Sequence, residues 1–382
     1  MRNINMIKAR FNNLLRCIRR NTFAAPPRIQ YIEGASELCA DTKDVQLRGI
    51  RLQGNYTDLP NMLFFPDLFD QAENWIPFFT GGNTSILDYR NVYILYPRNF
   101  GSSDWSNDKS DDYGESLAGD VERFMYQHKI TMATMAGHGF GAKTAMVTGT
   151  LKPELVTGIL AYDYAPQDYT YFRAADNLRN TVTSLALLAE KPFLKTDFEK
   201  ILDEKISCKK TQALLSQNLK QVGLREFILK YNSKAVTEQF EELINWRKVQ
   251  YGLFGGRVCF IFPEYSNYVF LNSNTLSILK VCVKAQGFNH DIQSIMTESD
   301  NPELNHWVYE YPELTSDFQK QSLKFLQNYD GVDVRYMNRA EYISGHGVPV
   351  RGSNERVDRY AGDIVPPAFY HNWRFTDRAD LK

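Results

Sequence analysis

Short apolar runs alternate with stretches of helical periodicity between about residues 59 and 330. Met62-Leu63-Phe64-Phe65 is one such run, and Val92 to Tyr96 is another, β-branched and aromatic, closed into a turn by Pro97 and Gly101. Residues 113–128 place Leu117, Val121, Phe124 and Met125 on one helical face. ITMATMA (130–136) runs into a glycine turn, KTAMVTGTL (143–151) reads as a helix, and LVTGILAYDYA (155–165) reads as the next strand. Strands and helices at this rhythm predict a mostly parallel sheet with helices on both faces, an α/β fold.

From about 168 to 250 the pattern becomes long, charged and amphipathic, without a strand-like run, and predicts a helical cap inserted into the sheet domain. The sheet resumes with RVCFIF (257–262), followed by a helix at 277–285 and a helical pattern over 318–327. The expected divisions are an N-terminal basic extension and lead-in (1–58), a first core part (59–167), the cap (168–250), a second core part (251–330) and a C-terminal extension (331–382).

The two ends differ from the middle. Residues 1–30 carry seven basic side chains and no acid, with Ile4, Ile7, Phe11, Leu14 and Ile18 at helical spacing. A basic, acid-free amphipathic start predicts a mitochondrial address, here expected to be retained and to rest on lipid or protein. Residues 331–382 lose clear periodicity and cannot build a core of their own. Both ends are therefore expected to lie as arms on neighbouring protein subunits.

Composition narrows the classes. A length of 382 residues, 43% hydrophobic and 13% aromatic, suits a globular protein with a full core. A net charge of −1 gives no field for nucleic acid. No run of about 18 apolar residues exists to span a membrane. Cys17, Cys39, Cys208, Cys259 and Cys282 are scattered and odd in number, so neither a disulfide frame nor structural zinc is expected.

The candidate chemistry sits in MAGHGFGAKTAM (135–146). Gly137 to Thr144 matches a phosphate loop except that Ala142 replaces the last glycine, and it matches a dinucleotide fingerprint only loosely. It also fits the frame of a nucleophile elbow, G-x-S-x-G, with Gly139 where the nucleophile belongs.

GHGFGAKTAM resembles the GHSMGGKTAM elbow of α/β-hydrolases related to mitochondrial abhydrolase-domain serine esterases. Arg98 to Ser103, KPELV (152–156), Asp163 to Pro166 and Asn305-His306-Trp307 match further runs of that group, so the resemblance spans roughly 60–330. It implies an α/β-hydrolase fold with helices on both faces of the sheet and a triad in the order serine, acid, histidine. His306 takes the histidine position, and the acid is Asp163 or Glu264. The nucleophile position is Gly139, the oxyanion loop reads Pro66-Asp67, and the next turn carries Phe100.

Losses at three places predict disuse, with His306 a retained core or surface histidine. The expectation is thus a catalytically inactive structural accessory subunit of a mitochondrial assembly, a respiratory complex or the ATP synthase. It would lie peripherally on the matrix side of the inner membrane, contacting protein subunits through 1–30 and 331–382, with possible lipid contact at the N-terminus. No cofactor and no metal are expected. The alternative is an esterase or acyl hydrolase with an unconventional nucleophile, Ser102 or Ser103, or a pseudoenzyme holding an acyl ligand.

Overall fold

The computed structural model describes residues 28–32, 39–40, 45–246 except 57, 83, 108–111 and 171, then 254, 256–269, 290–295 and 306–327. Most of the two arms, residues 1–27 and 328–382, and the expected helix at 277–285 lie outside the described residues.

The main sheet is built from β1 (Ile29–Ile32), β2 (Gly49–Leu52), β3 (Asn61–Phe65), β4 (Asn91–Leu95), β5 (Ala133–His138) and β6 (Val156–Tyr162). After a cap sheet of β7 (Phe193–Leu194), β8 (Leu219–Gln221) and β9 (Glu226–Leu229), it is completed by β10 (Val258–Pro263) and β11 (His290–Ile295). The eight strands lie in the order β1-β2-β4-β3-β5-β6-β10-β11. β1, β2 and β4 pair antiparallel, and the remaining neighbours are parallel. Parallel central strands must be covered on both faces, which explains why Met62–Phe65 and Ala133–Gly137 are apolar or small and buried throughout.

The register places the functional chain ends side by side. Phe65 pairs with Gly137, His138 with Tyr162, and Tyr162 with Ile261. Residues just past β3, β5 and β6 therefore meet at one edge of the sheet, where ligands bind in open α/β sheets.

Helix α1 (Tyr113–Gln127) packs the expected face of Leu117, Val121, Phe124 and Met125 into the core. Its start is capped by Asp112, whose Oδ1 accepts from the Gly114 and Glu115 amides at 2.8 and 3.2 Å. Helix α2 (Gly141–Leu151) follows the glycine turn and is buried from Gly141 to Thr150, so its sequence carries no polar stripe.

The inserted segment holds α3 (Arg173–Leu188), α4 (Lys195–Lys205), α5 (Lys209–Ser216), α6 (Ser233–Glu238) and α7 (Phe240–Ile244). It is not purely helical, because β8, β9 and β7 form a small antiparallel sheet. These strands are only two to four residues long, too short for an alternating pattern to stand out from the helices around them. Helix α8 (Pro312–Gln327) returns to the main sheet, burying Phe318, Phe325 and Leu326.

Candidate active site

The glycine turn is a strand–turn–helix elbow. Gly139 adopts φ +52°, a left-handed conformation that favours glycine, and its amide donates to the Tyr162 carbonyl at 2.8 Å. Gly141 is needed for a different reason: a Cβ there would lie 2.2 Å from the carbonyl oxygens of Phe65 and Pro66. The glycines thus serve backbone crowding between β3, β5 and α2. The phosphate-loop reading fails at its lysine: Lys143 is buried, and its Nζ donates to the cap carbonyls of Glu242 and, at 2.6 Å, Asn245.

The space above Gly139 is filled. A Cβ at position 139 would sit 2.3 Å from Cγ and Oδ1 of Asp67, and 2.7 Å from its Oδ2. The Asp67 carboxylate occupies the volume in which an elbow projects its nucleophile. Its Oδ1 accepts from the Phe140 amide at 2.7 Å. This is the N–H that follows the nucleophile position, the place of an oxyanion donor. Its Oδ2 meets His306 Nε2 at 2.8 Å, and His306 Nδ1 meets Asp163 Oδ2 at 2.7 Å. Ser266 Oγ donates to the other oxygen of Asp163 at 2.5 Å and is itself held by the Tyr268 and Val269 amides. Asp67, Asp163 and His306 are all buried.

Of the two acids the sequence left open, the structure selects Asp163. It follows β6 directly, at φ +49°, with its amide on the Ile261 carbonyl at 2.9 Å. Glu264, at the end of β10, is half-buried and makes no hydrogen bond to His306 among the described residues. His306 is buried, and its ring bridges the two carboxylates of Asp163 and Asp67.

Ser103 is not a nucleophile of this site, and Ser102 is half-buried with its carbonyl accepting from Arg48 Nη1 at 3.3 Å. Ser103 Oγ is buried, donating to the Tyr96 carbonyl at 2.7 Å and accepting from the Arg48 amide at 2.8 Å. Phe100 belongs to an aromatic cluster with Phe69 and Tyr231, centroids 5.5 and 6.1 Å away.

The electrostatics follow from the pairing. Burial would lower the His306 pKa, but its bonds to Asp163 and Asp67 and their charges raise it to about 10, so it stands as an imidazolium at neutral pH. Burial pushes the Asp67 carboxyl up, yet the His306 bond and charge, with the Phe140 amide, hold it below the ordinary carboxylate range. His138 is pushed down to about 4, first by burial and then by the His306 charge. It is neutral, with Nε2 donating to the His306 carbonyl at 2.8 Å and Nδ1 without a hydrogen-bond partner among the described residues.

Asp67, His138 and His306 each bring one ligand atom within 4.8 Å of the others. The two rings are tilted by 33° with centroids 4.4 Å apart. Both His306 nitrogens already face carboxylates. The cluster suits a charge relay better than a cation.

The loop after β3 is locked in place. Asp70 accepts from Trp75 Nε1 at 2.7 Å, Tyr309 Oη at 2.8 Å and Asn74 Nδ2 at 2.9 Å, tying the Asp67 loop to the segment that bears His306. Burial raises its carboxyl to about 6 despite these donors.

The sheet order, the elbow and an acid–histidine pair at the strand ends define an α/β-hydrolase. The chain has the α/β-hydrolase fold and resembles abhydrolase-domain proteins. It is 24% identical over 276 residues to the sn-1-specific diacylglycerol lipase ABHD11 of Mus musculus, covering 71% of this chain and 82% of the lipase. It is 31% identical over 138 residues to the abhydrolase domain-containing protein C22H12.03 of Schizosaccharomyces pombe (34% of this chain, 49% of that protein). With ethanol acetyltransferase 1 of Kluyveromyces lactis it shares 27% over 157 residues (41% of this chain, 40% of that protein). For the last two, the chain spans half the relative's length or less. A solved marine microorganism esterase superposes with a TM-score of 0.58 at 19% identity, covering 74% of this chain and 99% of the esterase. No family model matches the chain.

These comparisons correct the expectation of a catalytically inactive accessory subunit. Two of these relatives are named a lipase and an acetyltransferase, and none is named a subunit of a respiratory complex or ATP synthase. The geometry supplies the physical reason. Gly139 and Asp67 are not separate losses: the carboxylate stands in the gap that the absent side chain leaves. Sequence reasoning missed Asp67 because elbow and loop were scored one at a time. The signal was the pairing of a missing side chain at 139 with an acid just past β3. Ser266 carried no signal at all.

Proposed function

We propose that the chain is a carboxylic ester hydrolase that works without a serine nucleophile, through Asp67, His306 and Asp163. The observation that carries this reading is the Asp67 carboxylate, seated in the nucleophile volume and bonded at once to the Phe140 amide and to His306. A carboxylate attacking an ester carbonyl would form an anhydride and must expel a far more basic alkoxide. Activation of water is the easier route. Asp67 takes a proton as water oxygen attacks the carbonyl carbon, and the Phe140 N–H turns to the developing oxyanion. His306 Nε2–H protonates the departing alkoxide. The proton on Asp67 then crosses the 2.8 Å bond to Nε2 and restores the pair. Asp163, fixed by Ser266, keeps the imidazole oriented through Nδ1.

The test is hydrolysis of p-nitrophenyl and acylglycerol esters of graded chain length. Asp67→Asn and His306→Gln each lower kcat by about 100-fold or more, the scale of general acid–base catalysis. Single turnover in 18O-water places the label in the product acid and not in Asp67. Unchanged turnover in Asp67→Asn, or covalent capture of a serine by a fluorophosphonate, refutes the mechanism.

A mitochondrial, peripheral location and protein contacts through 1–30 and 331–382 remain part of the proposal, supported by composition alone. Import of the full chain into isolated mitochondria, and its loss on deleting 1–30, tests the location. Crosslinking from the two ends tests the contacts.

A further inference from the structure

Among the described residues nine large hydrophobic side chains are exposed, and every aliphatic one except Ile29 belongs to the cap: Leu187, Leu194, Val222 and Leu224. Leu224 is 92% exposed, more than any other, at the tip of the β8–β9 hairpin, with Val222 two residues before it at 48%. Leu194, on β7, pairs opposite Glu226 of the same small sheet. Scattered exposed apolar residues need no explanation, but several gathered on one inserted element do.

The tip is also built to leave water. The Val222 and Gly223 amides both donate to the Glu226 carbonyl, at 2.9 and 3.3 Å. The Gly223 and Leu224 carbonyls both accept from Gln221 Nε2, at 2.9 and 3.2 Å. Each of these four backbone groups, met by its own chain, lowers the cost of carrying the tip into an apolar medium. Lys220 and Arg225 bracket the apolar pair, both exposed and without an ion-pair partner among the described residues. Glu226 is the one acid in 219–226, so the tip carries a small positive charge. An apolar point between two cations fits lipid tails below phosphate headgroups.

We propose that the Val222-Gly223-Leu224 tip of the cap inserts into the surface of a phospholipid bilayer, with Lys220 and Arg225 at headgroup level. The insertion stands apart from the ester-hydrolase reading. It concerns where the cap rests, whatever chemistry lies beneath.

Basic residues in 1–30 would attract anionic vesicles whatever the tip does, so the test reads the tip directly. In the full chain Leu224→Trp is measured with vesicles of equal phosphatidylcholine and phosphatidylserine, against the wild type's five tryptophans. A blue shift of the added emission, with quenching by bromines on the acyl chains, is expected. Leu224→Ser, at a side chain that packs against almost nothing, should retain the fold and weaken vesicle partition about tenfold. An emission at 224 that vesicles leave unchanged overturns the proposal, even if the chain sediments with them and even if a protein is later found on the tip. Equal partition of Leu224→Ser and wild type overturns it as well.

Discussion

Exchanging positions 139 and 67 separates a filled nucleophile site from an eroded one. In Gly139→Ser the new Cβ lies 2.3 Å from Asp67 Cγ, so the carboxylate must move and release the Phe140 amide and His306. A non-glycine residue at φ +52° costs about 1–2 kcal/mol and the overpacking about 1–3 kcal/mol, so the single change destabilises by about 2–5 kcal/mol. Asp67→Gly alone leaves the Phe140 N–H and the His306 N–H without their acceptor, at about 1–3 kcal/mol each. In the double variant the hydroxyl fits the space vacated by the carboxylate and can serve His306. The double variant is therefore more stable than the two single losses predict, with a coupling of about 1–3 kcal/mol. The assay is urea unfolding of the four proteins, paired with fluorophosphonate labelling. Labelling is expected in the double variant and absent in wild type and Gly139→Ser. Additive losses, or a Gly139→Ser chain as stable as wild type and readily labelled, would show that Asp67 does not occupy the site.

The pH profile of stability follows from the same cluster. The His306 contribution is complete below its unfolded value of 6.5 and is lost as pH rises through about 10. His138, neutral in the fold, loses its contribution as pH falls from 6.5 through about 4, and Asp67 loses its own as pH falls below 3.8. Unfolding midpoints should fall as pH rises from about 6.5 toward 10, and His306→Gln should flatten this alkaline limb; an unchanged limb counts against the ion pair. Lys143→Met strips the Glu242 and Asn245 carbonyls of a charged donor at about 1.5–3 kcal/mol and should speed amide exchange over 240–246. It should leave nucleotide binding undetectable, as in wild type, and measurable ATP binding by wild type would revive the phosphate-loop reading. Arg98 and Asp120 form a buried bidentate pair at 2.6 and 2.7 Å, so Arg98→Ala should cost about 3–5 kcal/mol in urea unfolding, and a loss under 1 kcal/mol would place the pair in solvent.

Much of this protein was legible without coordinates. Apolar runs at 62–65, 92–96, 133–138 and 156–162 became neighbouring strands, because buried parallel strands must be apolar on both faces. The elbow was legible from Gly137, Gly139 and Gly141, since few other residues tolerate that crowding, whereas the choice between Asp163 and Glu264 beside His306 was not. The short cap strands were not legible, being too brief for a period to register.

The meaning of Gly139 was settled only by tertiary structure. An empty nucleophile position read one residue at a time is a loss. The fold brings Asp67, 72 residues earlier in the chain, into the same volume through the pairing of Phe65 with Gly137. It then sets His306, 239 residues from Asp67, between Asp67 and Asp163. Pattern along a chain reports burial and turn geometry, which are local. Which side chain fills the space left by another depends on strand register and loop path, and these exist only once the sheet has closed around its core.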